Sequence, residues 1–567
     1  MVSRNSFALE DGQEIYSEAG VKEFKLLNRE DILYINDTVP KWRRVRIGLL
    51  VGFWVIWLAL LLALILIVVL QPKCPRKPTL HFWQSKVGYA LDPFSFKDTN
   101  RDLIGDLNGV REMLPYFEND LAVGFVILTA FSDGYADPVK KKIGGVRKFS
   151  KLDEYLGNEE DFRLLLREFR KKNIKVVVPI DLSANINGTE DTLFNEILRS
   201  ADPDKIKDLE QRISGVAKTW MKLDADGILI KGIPVRDSYT VDNKHCPKAN
   251  VWNATKRVIE AVRSVTDSFS FSVSRQRVLM IEPWLHADQT SAVEFKNLLL
   301  QQDTSTGAHL VFTSHVLDAV DVPGSVVYSN SSETTSIAYP TGVPYRSRKF
   351  DVIKTVLSFM NKGTPIIYFG SEVGFECPQV KSVAFADIYP KGMTPESHID
   401  RSYTLPMPWD FSGVGFTNAD KIVPEFHNFM KSCNAKETVL SSLASGSENT
   451  NFKLVRRLIQ LKKEPSILWG NTFVKTFPKR VTSDRLHLFI RAAADFPAFA
   501  IAINDPRINE PNGTGSVIDL SDICSTVNIQ LVHPPRSNLE EGSDVDSQRI
   551  YVPSTPEAAV YIFKCTA

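Results

Sequence analysis

Neither sign of charge dominates this chain: 68 lysines and arginines stand against 67 aspartates and glutamates, for a formal net charge of +1. Nothing in that balance suggests nucleic-acid binding, which needs a basic face. The chain is not poor in apolar residues either, at 43%, and this excludes a disordered polymer. None of the six cysteines precedes residue 74. Long apolar runs are scarce as well, with one exception. At 567 residues the chain is too long for a single domain of ordinary size.

The exception is Ile47 to Leu70, which contains no charged residue. A rise of about 1.5 Å per residue carries about 20 apolar residues across a bilayer core. A buried core helix of this length would keep a polar face, and a signal peptide would lie at the extreme N-terminus with a shorter apolar region. The run therefore reads as a single membrane-spanning helix. Lys41, Arg43, Arg44 and Arg46 precede it, and Lys73, Arg76 and Lys77 follow, so the positive-inside bias is slight. Acceptor tripeptides for N-glycosylation at Asn187, Asn253, Asn330 and Asn512 all follow the span, with Asn36 alone before it. Together they place the C-terminal portion outside and the N-terminal tail inside. Within the span, Gly48 and Gly52 form a GxxxG pair suited to close helix packing.

All the cysteines then lie in the oxidising compartment, where disulfides form. Cys524 and Cys565 are a candidate pair within a C-terminal domain. Cys74 sits just beyond the span in QPKCPRKP, where Pro72, Pro75 and Pro78 favour an extended neck. Few partners in the same chain are within its reach; an intrachain bond, a free thiol or a bond to a neighbouring membrane protein all fit.

Residues 1–46 read as a polar tail with one short helix after Asn28, a candidate N-cap. The span follows at 47–70 and the neck at 71–80. From 81 to 471, buried strand-like runs alternate with amphipathic helical ones, as in GFVILTA then DFRLLLREFRKK, and IKVVVPIDL then KIKDLEQRISGVAKTWMKL. Repeated strand–helix units specify a parallel sheet, and their number suits a closed (β/α)₈ barrel, giving an α/β fold class. From 472 to 567 the pattern becomes short strands, which reads as a separate antiparallel domain. GILI is one of the barrel strands, and the residue leaving it toward the mouth is Lys231, where active sites of such barrels lie.

Four segments in the same order, SFKDTNRDLIGDLNGVREMLPYF, EYLGNEEDFRLLLREFRKKNIKVVV, GTPIIYFGSEVGF and LPMPWDFSGVGFTN, are similar to the α-amylase superfamily. The resemblance implies an amylase-type barrel followed by a β-sandwich. It also implies a site that has lost its chemistry. DGILIK aligns with the fourth-strand DGFRID of the enzymes, so Leu229 replaces the arginine and Lys231 the aspartate nucleophile. Asp181 and Asn185 are kept, but Ile186 stands where a histidine is expected, and 335–345 contains no carboxylate. Glu282 falls at the position of the proton donor. One acid without a nucleophile is not a retaining site, and the barrel is expected to be inert. Asp181 or Glu282 is expected to pair with Lys231, since an unpartnered buried ammonium is costly. Asp98, Asn100, Asp102, Ile104 and Asp106 follow a spacing that suits a structural calcium ion, which some members of the superfamily bind in this loop; Arg101 and Leu103 replace the glycines that ease its turn. No other cofactor is expected.

A membrane-anchored, inert barrel with a short connection after the third strand resembles the heavy chains of heteromeric amino-acid transporters (solute carrier family 3), of the cell-surface antigen type. That resemblance implies a type II protein of the plasma membrane. It implies a multi-span transporter light chain as partner, linked through Cys74 and packed against the span. A membrane-anchored α-glucosidase and a non-enzymatic adhesion ectodomain are the competing readings.

Overall fold

The computed structural model describes residues 28–38, 40–70, 77–102, 104–133, 136–137, 142–143, 146–182, 202–233, 248–271, 275–283, 307–312, 337–340, 351–374, 406–412, 415–417, 437–444, 450–474, 486–506, 515–535 and 539–566. The chain divides into two compact units, Met1–Arg76 and Lys77–Ala567.

The first unit holds α1 (Arg29–Thr38) and α2 (Pro40–Leu70). The Ile32 amide donates to the Asn28 carbonyl at 3.0 Å, and the Asn28 amide donates to Asp31 at 3.1 Å, so the first turn of α1 is closed where the sequence placed its cap. Pro40 ends one helix and starts the next, because its fixed φ suits a first helical position and breaks an interior one. The helix that carries the apolar run of 47–70 therefore begins earlier, at Pro40. Lys41 to Arg46 are mostly helix formers with nothing to break them. Within Arg43–Leu70 the most apolar 18 residues have a mean hydropathy of 3.2 and none of that stretch is buried, so the helix is long and apolar enough to cross a membrane by length and composition.

The second unit is built on eight parallel strands closed into a barrel. They are β1 (Gly88–Leu91), β2 (Phe125–Leu128), β3 (Lys175–Asp181), β4 (Gly227–Ile233), β5 (Val278–Pro283), β6 (Leu310–Phe312), β7 (Ile337–Pro340) and β8 (Thr364–Tyr368). Strand β1 pairs with both β2 and β8, which closes the ring. Runs such as Val176, Val177 and Val178 are fully buried, as expected for strands covered on both faces. Helices α3 (Leu107–Glu112), α4 (Glu159–Lys171), α5 (Pro203–Lys222), α6 (Lys248–Ser268), α7 (Val352–Met360) and α8 (Asn451–Leu461) lie between or after them. Their starts are local decisions. Asn158, Asp202, Asp351 and Thr450 each cap the following helix through a side-chain oxygen. The helix expected at 292–301 lies outside the described residues.

At the N-terminal ends of the strands a buried ion network sets the register of three neighbours. Asp226, directly before β4, accepts from the Val176 amide at 3.1 Å and from Arg277 at 2.8 Å. Arg170 and Lys175 each lie 3.6 Å from the same carboxylate. Asp224, at φ 74°, completes it with short contacts to Arg170 and Arg277. Burial pushes the Asp224 carboxyl up, but the two guanidiniums together hold it below its ordinary value.

The C-terminal region is a six-stranded antiparallel sheet with a two-stranded sheet beside it. Its central strands include Phe499–Asn504, Thr526–His533 and Ala559–Thr566. Alternation sorts their side chains. Phe499, Ile501, Ile503, Val560 and Ile562 join the barrel core, while Ala500, Ala502, Ala559, Tyr561 and Phe563 face the small sheet. A bulge between Ile529 and Leu531 lets Leu531 join the first group while Ile529 and Val532 stay in the second. The antiparallel region therefore has a small core of its own between its two sheets and a second apolar face that it shares with the barrel unit. One face of its large sheet is continuous with the barrel core, because most of that face is apolar and must be covered, while Lys564 and Arg491 on it are met by Glu464 and the Ile467 carbonyl. Cys524 and Cys565 are disulfide-bonded with Cα atoms 5.7 Å apart, as the sequence pairs them.

Candidate functional site at the barrel mouth

Three strand ends bring three charged residues together. Asp181 on β3 is in register with Lys231 on β4, and Lys231 with Glu282 on β5. Strand β4 does not stop at Ile230; it continues through Lys231 to Ile233 with an irregularity between the two. Backbone pairing on both sides explains the extension, since the Leu182 amide donates to the Lys231 carbonyl at 3.0 Å. Leu229 lies on the same face of the strand as Lys231 and is 1% exposed.

Lys231 itself is 4% exposed. Its ammonium lies 3.6 Å from Asp181 Oδ2 and donates to the Thr129 carbonyl, just beyond β2, at 3.3 Å. Burial pushes the Glu282 carboxyl up; the Lys231 ammonium pulls it down, and the Asp181 carboxylate pushes it up again. The group that centres the bowl is a cation with an acid on each neighbouring strand. An ammonium can donate hydrogen bonds and offset nearby negative charge, but it supplies no carboxylate with which to form a glycosyl ester.

The carboxylates of the 98–106 loop are engaged within the chain. Asp98 accepts from the Arg101 amide at 2.8 Å and the Thr417 hydroxyl at 2.6 Å. Asp106 caps α3 through the Gly109 amide at 2.7 Å and also accepts from Thr99. Asn100 accepts from the Asp102 amide, and Asp102 from the Ile104 amide. Arg101 takes a positive φ of 73°, the conformation a glycine would hold more easily. Among the described residues no group of three or more His, Cys, Asp or Glu side chains is arranged to hold a metal ion. The loop as it stands is a hydrogen-bonded turn whose oxygens already have donors.

Gly48 and Gly52 lie in α2 with open space around them. Asn253 lies on α6. Cys74, Asn185, Ile186, Asn187, Asn330 and Asn512 lie outside the described residues. Sequence reasoning missed a second acidic centre. Glu372, just past β8, accepts from the hydroxyls of Tyr89 at 2.6 Å and Tyr116 at 2.7 Å, all buried. Burial and then the Glu372 charge raise the Tyr116 hydroxyl well above its ordinary value, so both phenols serve as donors. Its signal in the sequence was a glutamate a few residues past a buried strand.

Comparisons with known proteins agree with this architecture. The alpha amylase catalytic domain family matches residues 91–212 and 205–470. The solute carrier family 3 member 2 N-terminus family matches residues 13–89. The amino acid transporter heavy chain SLC3A2 of Rattus norvegicus is 25% identical over 361 residues, covering 64% of this chain and 61% of that protein. The heavy chain SLC3A1 of Homo sapiens is 22% identical over 472 residues, covering 66% and 64%. The chain thus spans a little under two thirds of the length of these relatives. Among solved structures, trehalose-6-phosphate hydrolase of Bacillus licheniformis superposes with a TM-score of 0.56 at 17% identity, covering 86% of this chain and all of that one; at this identity the likeness speaks for the fold alone. The chain belongs to the α-amylase family, with its barrel joined in one polypeptide to a solute carrier family 3 member 2 N-terminus.

Proposed function

We propose that this chain is the ancillary, non-catalytic heavy subunit of a heteromeric amino-acid transporter. It is anchored in the plasma membrane by α2 with its N-terminus cytoplasmic and its barrel outside, glycosylated, and disulfide-linked through Cys74 to a multi-span light chain that it escorts and stabilises. The observation that carries the reading is the succession in one chain of a solute carrier family 3 member 2 N-terminus, whose matched residues include the apolar helix, and an amylase catalytic domain. The similar proteins named above are amino acid transporter heavy chains. A single span cannot form a transport pathway, so transport belongs to the partner, and Gly48 and Gly52 give that partner's helix a place of close approach. The buried cation at the barrel mouth supports a barrel kept for its surface rather than for hydrolysis.

The test is a gel of the membrane protein with thiols blocked at lysis, run with and without reductant. A larger band that collapses on reduction and disappears in Cys74→Ser supports the reading, and mass spectrometry of the band names the partner. Monomer alone in both samples counts against the covalent link. A second reading, a membrane-anchored α-glucosidase, draws on the Glu282 carboxyl, pushed up by desolvation, and the match to a catalytic-domain family. It requires hydrolysis of an aryl α-glucoside that is lost in Glu282→Gln.

A further inference from the structure

The connection that leaves β2 concentrates one sign of charge in a chain that is otherwise balanced. Residues 138–152 hold Lys140, Lys141, Lys142, Arg147, Lys148 and Lys151 and no aspartate or glutamate. Two short antiparallel ladders fold this connection into a hairpin: Ser132–Asp133 pairs with Lys148–Leu152, and Ala136–Asp137 with Lys142–Ile143. Lys142 and all of 147–151 therefore lie along the returning arm. Lys140 and Lys141 precede that arm directly in the chain and lie outside the described residues. The hairpin is rooted on its apolar side. Phe149 is buried, and its carbonyl accepts from the Trp220 indole of α5 at 3.0 Å. Lys148, beside it in the strand, is exposed, as the period-two alternation of a strand requires.

Acids answer only part of this charge. Asp133 lies 3.4 Å from Arg147 and 3.3 Å from Lys151, and Asp137 stands in register with Lys142. Asp153 at the foot accepts from the Tyr155 amide, and Glu154 beyond it is exposed. The Arg147 and Lys151 side chains keep 41% and 56% exposure beside Asp133, so solvent screens these pairs and they hold weakly. One carboxylate between two cations leaves the arm positive, and Lys148 adds to it. Cations set along an extended strand at about 3.3 Å per residue suit a linear polyanion, and lysine, a flexible point charge, adapts to unevenly placed sulfates. A bilayer suits the arm less well. Strands β1 and β2 run parallel as neighbours. The chain from the span reaches β1 at its N-terminal end, and the hairpin leaves β2 at its C-terminal end, so the two connections stand at opposite ends of the barrel.

We infer that the hairpin of residues 132–152 is a binding arm for sulfated glycosaminoglycan chains, with Arg147, Lys148 and Lys151 at its centre. The choice of a glycosaminoglycan as natural partner rests on the barrel lying outside the cell. Heparin binding by the purified chain does not depend on membrane orientation, so its failure is separate from a failure of that placement.

The test is surface plasmon resonance of the full-length chain in detergent over immobilised heparin. The wild type should bind in about 0.15 M sodium chloride, and its affinity should fall at least about tenfold by about 0.5 M as counterion release weakens. Arg147→Gln, Lys148→Gln and Lys151→Gln together should weaken binding at least about tenfold, whereas Arg147→Lys, Lys148→Arg and Lys151→Arg together should keep it. Lys86→Gln, Lys463→Gln and Arg549→Gln remove the same charge at exposed positions elsewhere and should leave binding unchanged. No binding by the wild type overturns the inference, as does an equal loss in the two glutamine triples. If the hairpin triple does not fold by circular dichroism, Lys148→Gln decides, since no ion pair holds Lys148 among the described residues; about a twofold loss is expected, and no loss overturns the inference. Equal binding to fully desulfated heparin or to polyglutamate would make the contact one of charge alone, and tighter binding to phosphatidylserine vesicles would assign the arm to a bilayer; each of these overturns it.

Discussion

Lys231 is held by charge and by shape at once. Its ammonium is 4% exposed and lies 3.6 Å from Asp181, with Glu282 in register on the other neighbouring strand. Removing one member of a buried pair strands the other. Lys231→Met is expected to cost about 3 kcal/mol at pH 7 by chemical denaturation. Adding Asp181→Leu should recover most of the loss, because an apolar pair of similar volume needs no counter-charge. A single variant as stable as the wild type would show that water, not Lys231, balances these acids. His309 gives a residue-scale pH dependence. Its Nδ1 accepts from the Leu279 amide at 2.9 Å; burial, then Arg263 and His81, lower its pKa from 6.5 to about 3. The unfolded chain therefore binds this proton before the folded one does. The stability that His309 contributes is complete above pH 6.5 and lost as the pH falls toward about 3, at up to about 1.4 kcal/mol per pH unit. His309→Gln should flatten that part of the profile, and an unchanged slope would assign it to other groups.

Elements are positioned by contacts between their ends. The start of β4 is tied to β3 by the Val176 amide on Asp226 and to β5 by Arg277, with Asp226 1% exposed. Asp226→Asn is expected to lower stability by about 3 kcal/mol, read by denaturant titration. Asp224→Asn should cost distinctly less, since that carboxylate is partly solvated. Equal losses would mean that the network acts as one unit rather than through the buried carboxylate. At the 98–106 loop, the engaged oxygens lead to the expectation that a calcium chelator leaves the melting temperature unchanged; a fall on chelation would show that an ion, not the Thr417 and Gly109 donors, holds the turn. These elements were unequally legible. Asp181, Lys231 and Glu282 were readable because each follows a short apolar run whose end must face the mouth. The Thr129 carbonyl was not, since a backbone acceptor has no side-chain signature. The Tyr89–Glu372–Tyr116 centre was not either, because its members are separated by most of the barrel's sequence and meet only when β1 and β8 close the ring.

In the whole molecule, Lys77–Ala567 is one compact unit. The large C-terminal sheet gives Phe499, Ile501, Ile503, Val560 and Ile562 to the barrel core, and Lys462 at the end of α8 donates to the Asn361 carbonyl at 2.7 Å from full burial. Unfolding of this unit is expected to be a single calorimetric transition with equal calorimetric and van't Hoff enthalpies. Two resolved transitions would show that the sheet folds by itself despite the shared core. The sequence by itself determined the apolar helix, the order of strand–helix units and the change to antiparallel strands after 471. Each of these is a local pattern of hydrophobicity or period, readable within a few residues. Only the tertiary structure decided that the Thr129 carbonyl accepts from Lys231, that Arg277 reaches back to Asp226, and that one face of the sheet joins the barrel core. Those pairings depend on strand register and ring closure, which bring together residues far apart in the chain and leave no mark on either sequence neighbourhood.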